Sequence, residues 1–136
     1  MQNLRERSLK SLSLKVTYLL PFASNALPSQ RACLPDGNSP YADWFSTLDP
    51  IAAAKVTVAA ARMELGNLSN VEWFRGIGEY KIDWGPGYRI YLAKDGLEIV
   101  VLLGGGSKKR QQRDIDEAVA LWEDYKRRKA RMNKGA

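Results

Sequence analysis

The sequence predicts a small α+β protein, with an N-terminal helical hairpin packed on an antiparallel β-meander and a C-terminal helix. Three observations carry this prediction. Apolar residues recur at three- and four-residue steps before position 66 and after position 113, as in amphipathic helices. Short β-rich runs separated by glycine turns lie between them. A length of 136 residues with 45% hydrophobic content fits one compact core. The predicted order is β-α-α-β-β-β-β-α.

Two consecutive helix starts predict the hairpin. Ser39 can cap a helix whose first residue is Pro40, and Asp49 followed by Pro50 repeats the signal. The apolar face of the first helix is predicted to hold Tyr41, Trp44, Phe45 and Leu48. The face of the second is predicted to hold Ile51, Ala54, Val58, Ala61 and Leu65, before Gly66-Asn67 ends the helix.

Four β-rich runs follow, at Val71–Phe74, Glu79–Asp83, Tyr88–Lys94 and Leu97–Gly104. The last run is nearly all apolar, which predicts a central strand covered on both faces. Glu79–Asp83 alternates between polar and apolar residues, which predicts one open face.

The segment after the last strand is predicted to be a mobile loop that leads into a final helix. Gly104–Gly106 and the basic run Lys108–Arg110 form this loop. The helix has acidic residues near its start and basic residues at its end, which suits the helix dipole. Its buried stripe is predicted to consist of Ile115, Val119, Trp122 and Tyr125.

Residues 1–30 are predicted to be an N-terminal extension, either poorly ordered or a mis-assigned start, and residues 31–136 the functional domain. Basic residues precede a short apolar stretch at 16–23, which resembles a signal peptide only in outline because Pro21 interrupts it. No apolar run approaches the roughly 20 residues that span a bilayer. The predicted location is the cytoplasm, with no membrane partner.

The amino-acid composition limits the kinds of partner and reaction that this chain can support. The net charge is +6, and the basic excess lies toward the two ends of the chain, which favours a polyanionic partner such as nucleic acid or an acidic protein. A single cysteine, Cys33, excludes an intramolecular disulfide. The absence of histidine excludes a classical zinc site and a histidine base. No metal or organic cofactor is expected, so chemistry must use Lys, Arg, Tyr or carboxylates.

Two motif blocks, preceded by Glu79–Ile82, give the chain a family resemblance. The first is Gly85–Tyr91, with the sequence Gly-Pro-Gly-Tyr-Arg-Ile-Tyr, and the second is Leu102–Lys108, with a triple glycine before Ser-Lys. Over about residues 31–128 the sequence resembles the RelE/ParE toxin superfamily, and within it the phage-derived HigB-like addiction-module killer proteins. The resemblance implies a RelE-like fold.

The resemblance also implies a function and partners. Most relatives of this kind cleave messenger RNA on the ribosome, whereas the ParE branch poisons DNA gyrase by binding it. The implied partners are a cognate helix-turn-helix antitoxin, the ribosome and messenger RNA. Operator DNA would be bound only through the toxin–antitoxin complex.

The candidate catalytic residues are Lys81, Arg89, Tyr91, Lys108 and Gln111, and the candidate RNA-binding residues are Lys109, Arg110 and Arg113. Nearby cations would favour a neutral Lys81 that removes the 2′-hydroxyl proton, while Arg89 clamps the scissile phosphate. Tyr91 would stack on a base or donate a proton.

Each of these residues also has a structural interpretation. Lys81 can be a solvated strand lysine, Arg89 can pair with Glu79 or Asp83 across the hairpin, and Tyr91 can lie in the core. The basic segment 108–113 can be a solvated loop.

The leading hypothesis is a type II toxin that acts as a ribosome-dependent, metal-independent mRNA endoribonuclease and inhibits translation. One alternative is a gyrase-poisoning toxin that acts through the basic C-terminal helix. Another is an inactive homologue that only binds its antitoxin.

Overall fold

The computed structural model describes residues 29–96 and 99–134. Its elements follow the predicted order of one strand, two helices, four strands and a helix. They are β1 Ser29–Arg31, α1 Pro40–Ser46, α2 Pro50–Glu64, β2 Val71–Phe74, β3 Ile77–Ile82, β4 Tyr88–Asp95, β5 Ile99–Ser107 and α3 Gln111–Lys134, with a 3₁₀ turn at Lys108–Arg110 before α3. Most of the predicted extension, residues 1–28, lies outside the described residues.

The strands form one sheet in the order β1-β5-β4-β3-β2. The meander from β2 to β5 is antiparallel, and β1 adds to its edge parallel to β5. The α+β class is therefore confirmed. The predicted central strand is confirmed as well, because Val100–Leu103 of β5 are at most 4% exposed.

Both predicted helix starts are confirmed by their caps. The Ser39 hydroxyl accepts a hydrogen bond from the Ala42 N–H at 3.1 Å. The Asp49 carboxylate accepts one from the Ala52 N–H at 2.9 Å. Each cap satisfies a backbone donor that the first helical turn leaves unpaired.

The helices cover opposite faces of the sheet. One apolar cluster lies beneath α3 and includes Ile115 and Trp122, with Val119 and Tyr125 packed against it, so the predicted stripe is confirmed. The other cluster lies beneath α1 and α2, where Tyr41 is buried and the rest of its predicted apolar face packs against the cluster.

The predicted buried face of α2 is wrong. Ile51, Val58 and Leu65 are 62%, 51% and 62% exposed. The buried residues are Ala52, Val56, Ala59 and Met63. The helix is apolar on two sides, and packing against the sheet has selected the side on which two alanines allow a close approach.

The predicted loop at Gly104–Gly106 is also wrong, because these glycines belong to β5 and pair with β4. Gly105 and Gly106 lack side chains where neighbours press on the strand. A Cβ atom on Gly105 would lie 2.3 Å from the Trp44 ring, and one on Gly106 would lie 1.9 Å from Asp114 Oδ2. Close packing, rather than a turn, explains Gly105 and Gly106.

None of the helices in the described residues combines the length and apolar character needed to cross a membrane.

Candidate functional site around Glu79

The register of β3 and β4 gathers four polar side chains on one face of the sheet. Glu79 lies opposite Tyr91, and Lys81 lies opposite Arg89. Directly paired residues and residues two apart on a strand share a face. This is the face covered by α3, whose first residue is Gln111. Four of the five predicted catalytic residues therefore meet here.

Glu79 is the centre of this cluster and is only 2% exposed. Its Oε2 atom accepts a hydrogen bond from Gln111 Nε2 at 2.9 Å and lies 3.5 Å from Arg89 Nε. Its Oε1 atom lies 3.8 Å from Lys81 Nζ. A buried carboxylate needs such partners, and this one has an amide and two cations.

Arg89 is a fixed residue with little free surface. It is 7% exposed, pairs with Glu79, and donates a hydrogen bond from Nη1 to the Gly87 carbonyl oxygen at 2.9 Å. The structural interpretation, a pair across the hairpin with Glu79, is confirmed. The Arg89 guanidinium is not free to bind a phosphate through two hydrogen bonds, because carboxylate and carbonyl oxygens already contact it.

Lys81 is the accessible cation of the cluster, with a side chain that is 55% exposed. Its ammonium lies 3.7 Å from Glu72 Oε2 and 3.8 Å from Glu79 Oε1. Lys81 does lie opposite Arg89, as predicted, but the charged groups in contact with its ammonium are two carboxylates. As an exposed cation, Lys81 is suited to stabilising negative charge on a ligand.

Tyr91 is fully buried in the cluster beneath α3. Burial first, and then the nearby negative charge of Glu79, raise the pKa of its hydroxyl above the ordinary value. The interpretation of Tyr91 as a core residue is confirmed, and stacking on a nucleic-acid base is excluded in this conformation.

Lys108 stands at the border of the site. Its Cβ atom lies 3.6 Å from the position that a Cβ on Gly87 would occupy, and Arg89 Nη1 lies 3.7 Å from the same point. The 3₁₀ turn thus brings exposed Lys108 beside the buried Arg89. Exposed Lys81 and Lys108 consequently belong to the surface around the Glu79–Arg89 pair.

The predicted RNA-binding residues form an exposed edge next to this surface. Lys109 and Arg110 are exposed in the 3₁₀ turn. Arg113 is exposed on α3, and its Nε pairs with Glu117 Oε1 at 3.0 Å. Where a loop was predicted, residues 108–110 form a 3₁₀ turn that leads directly into α3.

Sequence reasoning missed two acidic residues of the site, Glu79 and Asp114. Alternation along β3 placed Glu79 on an open face, whereas Gln111 and the start of α3 cover it. Asp114 lies in the first turn of α3, where the sequence pattern predicts only a favourable interaction with the helix dipole. Its Oδ2 atom is buried without a hydrogen-bond partner among the described residues, and burial raises the pKa of its carboxyl. The glycine at 106, which makes room for this carboxylate, was the available signal.

The described residues contain no group of three or more His, Cys, Asp or Glu side chains that could hold a metal ion.

Comparison with known proteins identifies a relative of this chain but gives no activity for it. The chain is 37% identical over 83 residues to an uncharacterized protein of Haemophilus influenzae (strain ATCC 51907 / DSM 11121 / KW20 / Rd). The match covers 60% of this chain and 84% of that protein. The chain belongs to the same family as this protein. No protein-family model and no solved structure matches the chain.

Proposed function

We propose that the protein is the toxin of a type II toxin–antitoxin pair, that its fold is RelE-like, and that it cleaves messenger RNA on the ribosome without a metal. The observation that carries this proposal is the grouping of Lys81 and Arg89 around the buried carboxylate of Glu79, with Lys108 beside Arg89. Two exposed lysines above a buried guanidinium suit a phosphate group and its transition-state charge.

Charge and exposure divide the roles among these residues. Lys81 and Lys108 are exposed, and they would contact the scissile phosphate directly. Arg89 would add its charge from beneath. Glu79 would act as a positioning residue, because it holds Arg89 and Gln111 in place and lies beside Lys81.

The reaction would begin with attack of an RNA 2′-oxygen on the adjacent phosphorus. The new bond joins the 2′-oxygen to phosphorus, and the bond from phosphorus to the 5′-oxygen breaks. Because Lys81 is the exposed ammonium of the site, we assign it donation of a proton to the leaving 5′-oxygen. We assign acceptance of the 2′-hydroxyl proton to Glu72, the more exposed of the two carboxylates, at 67% side-chain exposure.

The surrounding surface supports a nucleic-acid substrate. Exposed Lys109 and Arg110 extend the positive surface beyond Lys108. These side chains would contact RNA backbone without reading its sequence. Codon preference would then be set by the ribosome and the message.

The test is to induce the full chain without antitoxin and to map new 5′ ends across the transcriptome, with translation active or blocked. Cleavage of translated messages alone is expected, and Lys81→Ala should abolish it. Lys94→Ala, which removes a lysine of β4 outside the site, is the matched control and should leave it unchanged. Growth arrest with intact messages would refute the proposal.

A second candidate, a toxin that binds a protein such as gyrase, is favoured by the exposed basic end of α3. Arg127, Arg131 and Lys134 are exposed there. Deleting residues 126–136 should abolish toxicity in this case, while Lys81→Ala should spare it. An inactive homologue would bind antitoxin with neither effect.

The proposed partner in every case is a small helix-turn-helix antitoxin whose acidic residues meet the basic surface. Operator DNA would be bound only by the complex of the two proteins.

A further inference from the structure

Part of the edge of β5 has no strand beside it. β1 pairs with β5 only from Val100 to Leu102, whereas β5 continues to Ser107. After Ala32 the chain leaves the sheet and closes a turn in which Gly37 N–H donates to the Leu34 carbonyl oxygen. Within residues 29–96 and 99–134, the outer edge of β5 beyond Leu102 therefore faces no strand. Such an edge can accept another extended segment.

A cavity of about 770 Å³ lies along this edge, between α1 and α3. The apolar part of its lining includes Leu34, Pro35, Trp44, Leu103, Ala118 and Leu121. Lining residues on the α3 side run from Arg110 to Asp124. These 14 steps correspond to about 21 Å of helix, which is the length of about six residues of extended chain.

The strand is open at the middle of this groove. Gly104 lines it, and a Cβ atom built on Gly104 meets nothing within 4 Å. The groove therefore has free space over this face of the strand, which a side chain of an incoming segment could occupy.

The charged residues that line the groove are mainly acidic, whereas the whole chain is basic. Four carboxylates line the groove, from Asp43, Asp114, Glu117 and Asp124, and Arg110 is the one cation among the described lining residues. Two of these carboxylates also form ion pairs within α3, Glu117 with Arg113 and Asp124 with Arg128. The whole chain has a net charge of +6. Asp114 Oδ2 is buried without a hydrogen-bond partner in the described part of the chain. The groove is thus complementary to a basic ligand.

We propose that this groove binds an extended segment of a partner protein in which lysine or arginine alternates with apolar residues. Its backbone pairs with the edge of β5 at Leu103–Ser107, its apolar side chains fill the groove, and its cations meet the acidic lining. The inference rests on the edge, the cavity and their charge, and it does not depend on RNA cleavage.

The test is a titration of the full-length protein with a synthetic heptapeptide that alternates lysine and valine, followed by amide chemical shifts. We expect shifts at Leu103–Ser107 and saturable binding, and no binding by the same peptide with glutamate in place of lysine. Equal binding of both peptides, or shifts confined to other parts of the chain, would overturn the proposal.

A matched pair of variants tests the charge. Glu117 lines the groove and pairs with Arg113 on α3, whereas Glu123 pairs with Lys126 on the same helix and does not line it. Glu117→Lys is expected to weaken binding about tenfold, and Glu123→Lys is expected to leave it unchanged. Equal effects of the two variants would contradict the assignment.

Gly104→Val tests the edge itself. The added side chain enters open space at a position without a left-handed backbone, so the fold should be retained while the groove is filled. Loss of peptide binding is expected. If the full chain sediments as a dimer that this variant dissociates, the occupant is a second copy, and the partner proposal is wrong.

Discussion

Glu79→Leu should be among the most destabilising substitutions at the site. It removes a carboxylate that is 2% exposed and leaves the Arg89 side chain, itself 9% exposed, without its ion-pair partner. Removing one member of a buried pair typically costs about 3–5 kcal/mol, because the remaining charge stays buried and uncompensated. We therefore expect the free energy of unfolding to fall by about that amount.

The double variant Glu79→Leu/Arg89→Met should recover most of this loss. Apolar side chains of similar size can replace a buried pair at little net cost. The coupling free energy between the two sites should therefore reach about 2 kcal/mol or more in a double-mutant cycle.

Urea unfolding followed by tryptophan fluorescence measures both quantities by linear extrapolation. Glu72→Leu is the control, because Glu72 pairs with the same Lys81 but is 67% exposed. It should cost less than about 1 kcal/mol. A loss below about 1 kcal/mol for Glu79→Leu, or additive effects in the cycle, would refute the account of a buried, mutually dependent pair.

Five further substitutions test packing and pH dependence by the same unfolding assay. Gly105→Ala should cost about 1–3 kcal/mol, because its methyl group would overlap the tryptophan of α1, while Gly104→Ala should be nearly neutral; equal effects would contradict the packing. Val56→Ala should destabilise the protein by about 1–3 kcal/mol and Val58→Ala by less than about 0.5 kcal/mol, since only Val56 is buried. The reverse order would mean that the face of α2 predicted from sequence, which includes Val58, is the buried one. Asp95→Asn should lower stability at neutral pH, because a hydrogen bond from a lysine of α3 lowers the pKa of Asp95. The Asp95 carboxylate stabilises the fold above its unfolded-state pKa, and this stabilisation is lost as the pH falls through the folded-state pKa. The difference in stability between Asp95→Asn and wild type should therefore shrink on acidification. A difference that grows instead would contradict the lowered pKa.

Local signals predicted most of the fold. Proline after a capping residue marked the starts of α1 and α2, because these residue types satisfy the first helical turn whatever the rest of the chain does. The Gly85–Gly87 turn marked the end of β3 and the start of β4 in the same way.

The errors arose where distant contacts decide the outcome. Both sides of α2 are apolar, and only its packing on the sheet shows that Val56 is buried and Val58 exposed. A glycine run reads locally as a loop, but Gly105 lies in a strand because the Trp44 ring packs on it from α1.

At the candidate site, too, local signals predicted some features while contacts between distant residues decided others. The motifs located Lys81, Arg89 and Gln111, and the strand register could be anticipated from the hairpin. The burial of Glu79 could not, because it depends on the position of α3 over the sheet. The sequence pattern thus placed Arg89 beside Lys81 but did not show the two carboxylates that also lie beside it.

The central claim is tested most directly with purified full-length protein added to ribosomes stalled on a defined message. Primer extension should show new 5′ ends on the ribosome-bound message and none on the same message without ribosomes. Lys81→Ala and Glu72→Gln should remove them, while Lys94→Ala should not. An intact message on ribosomes, or cleavage that survives loss of Lys81, would contradict the account.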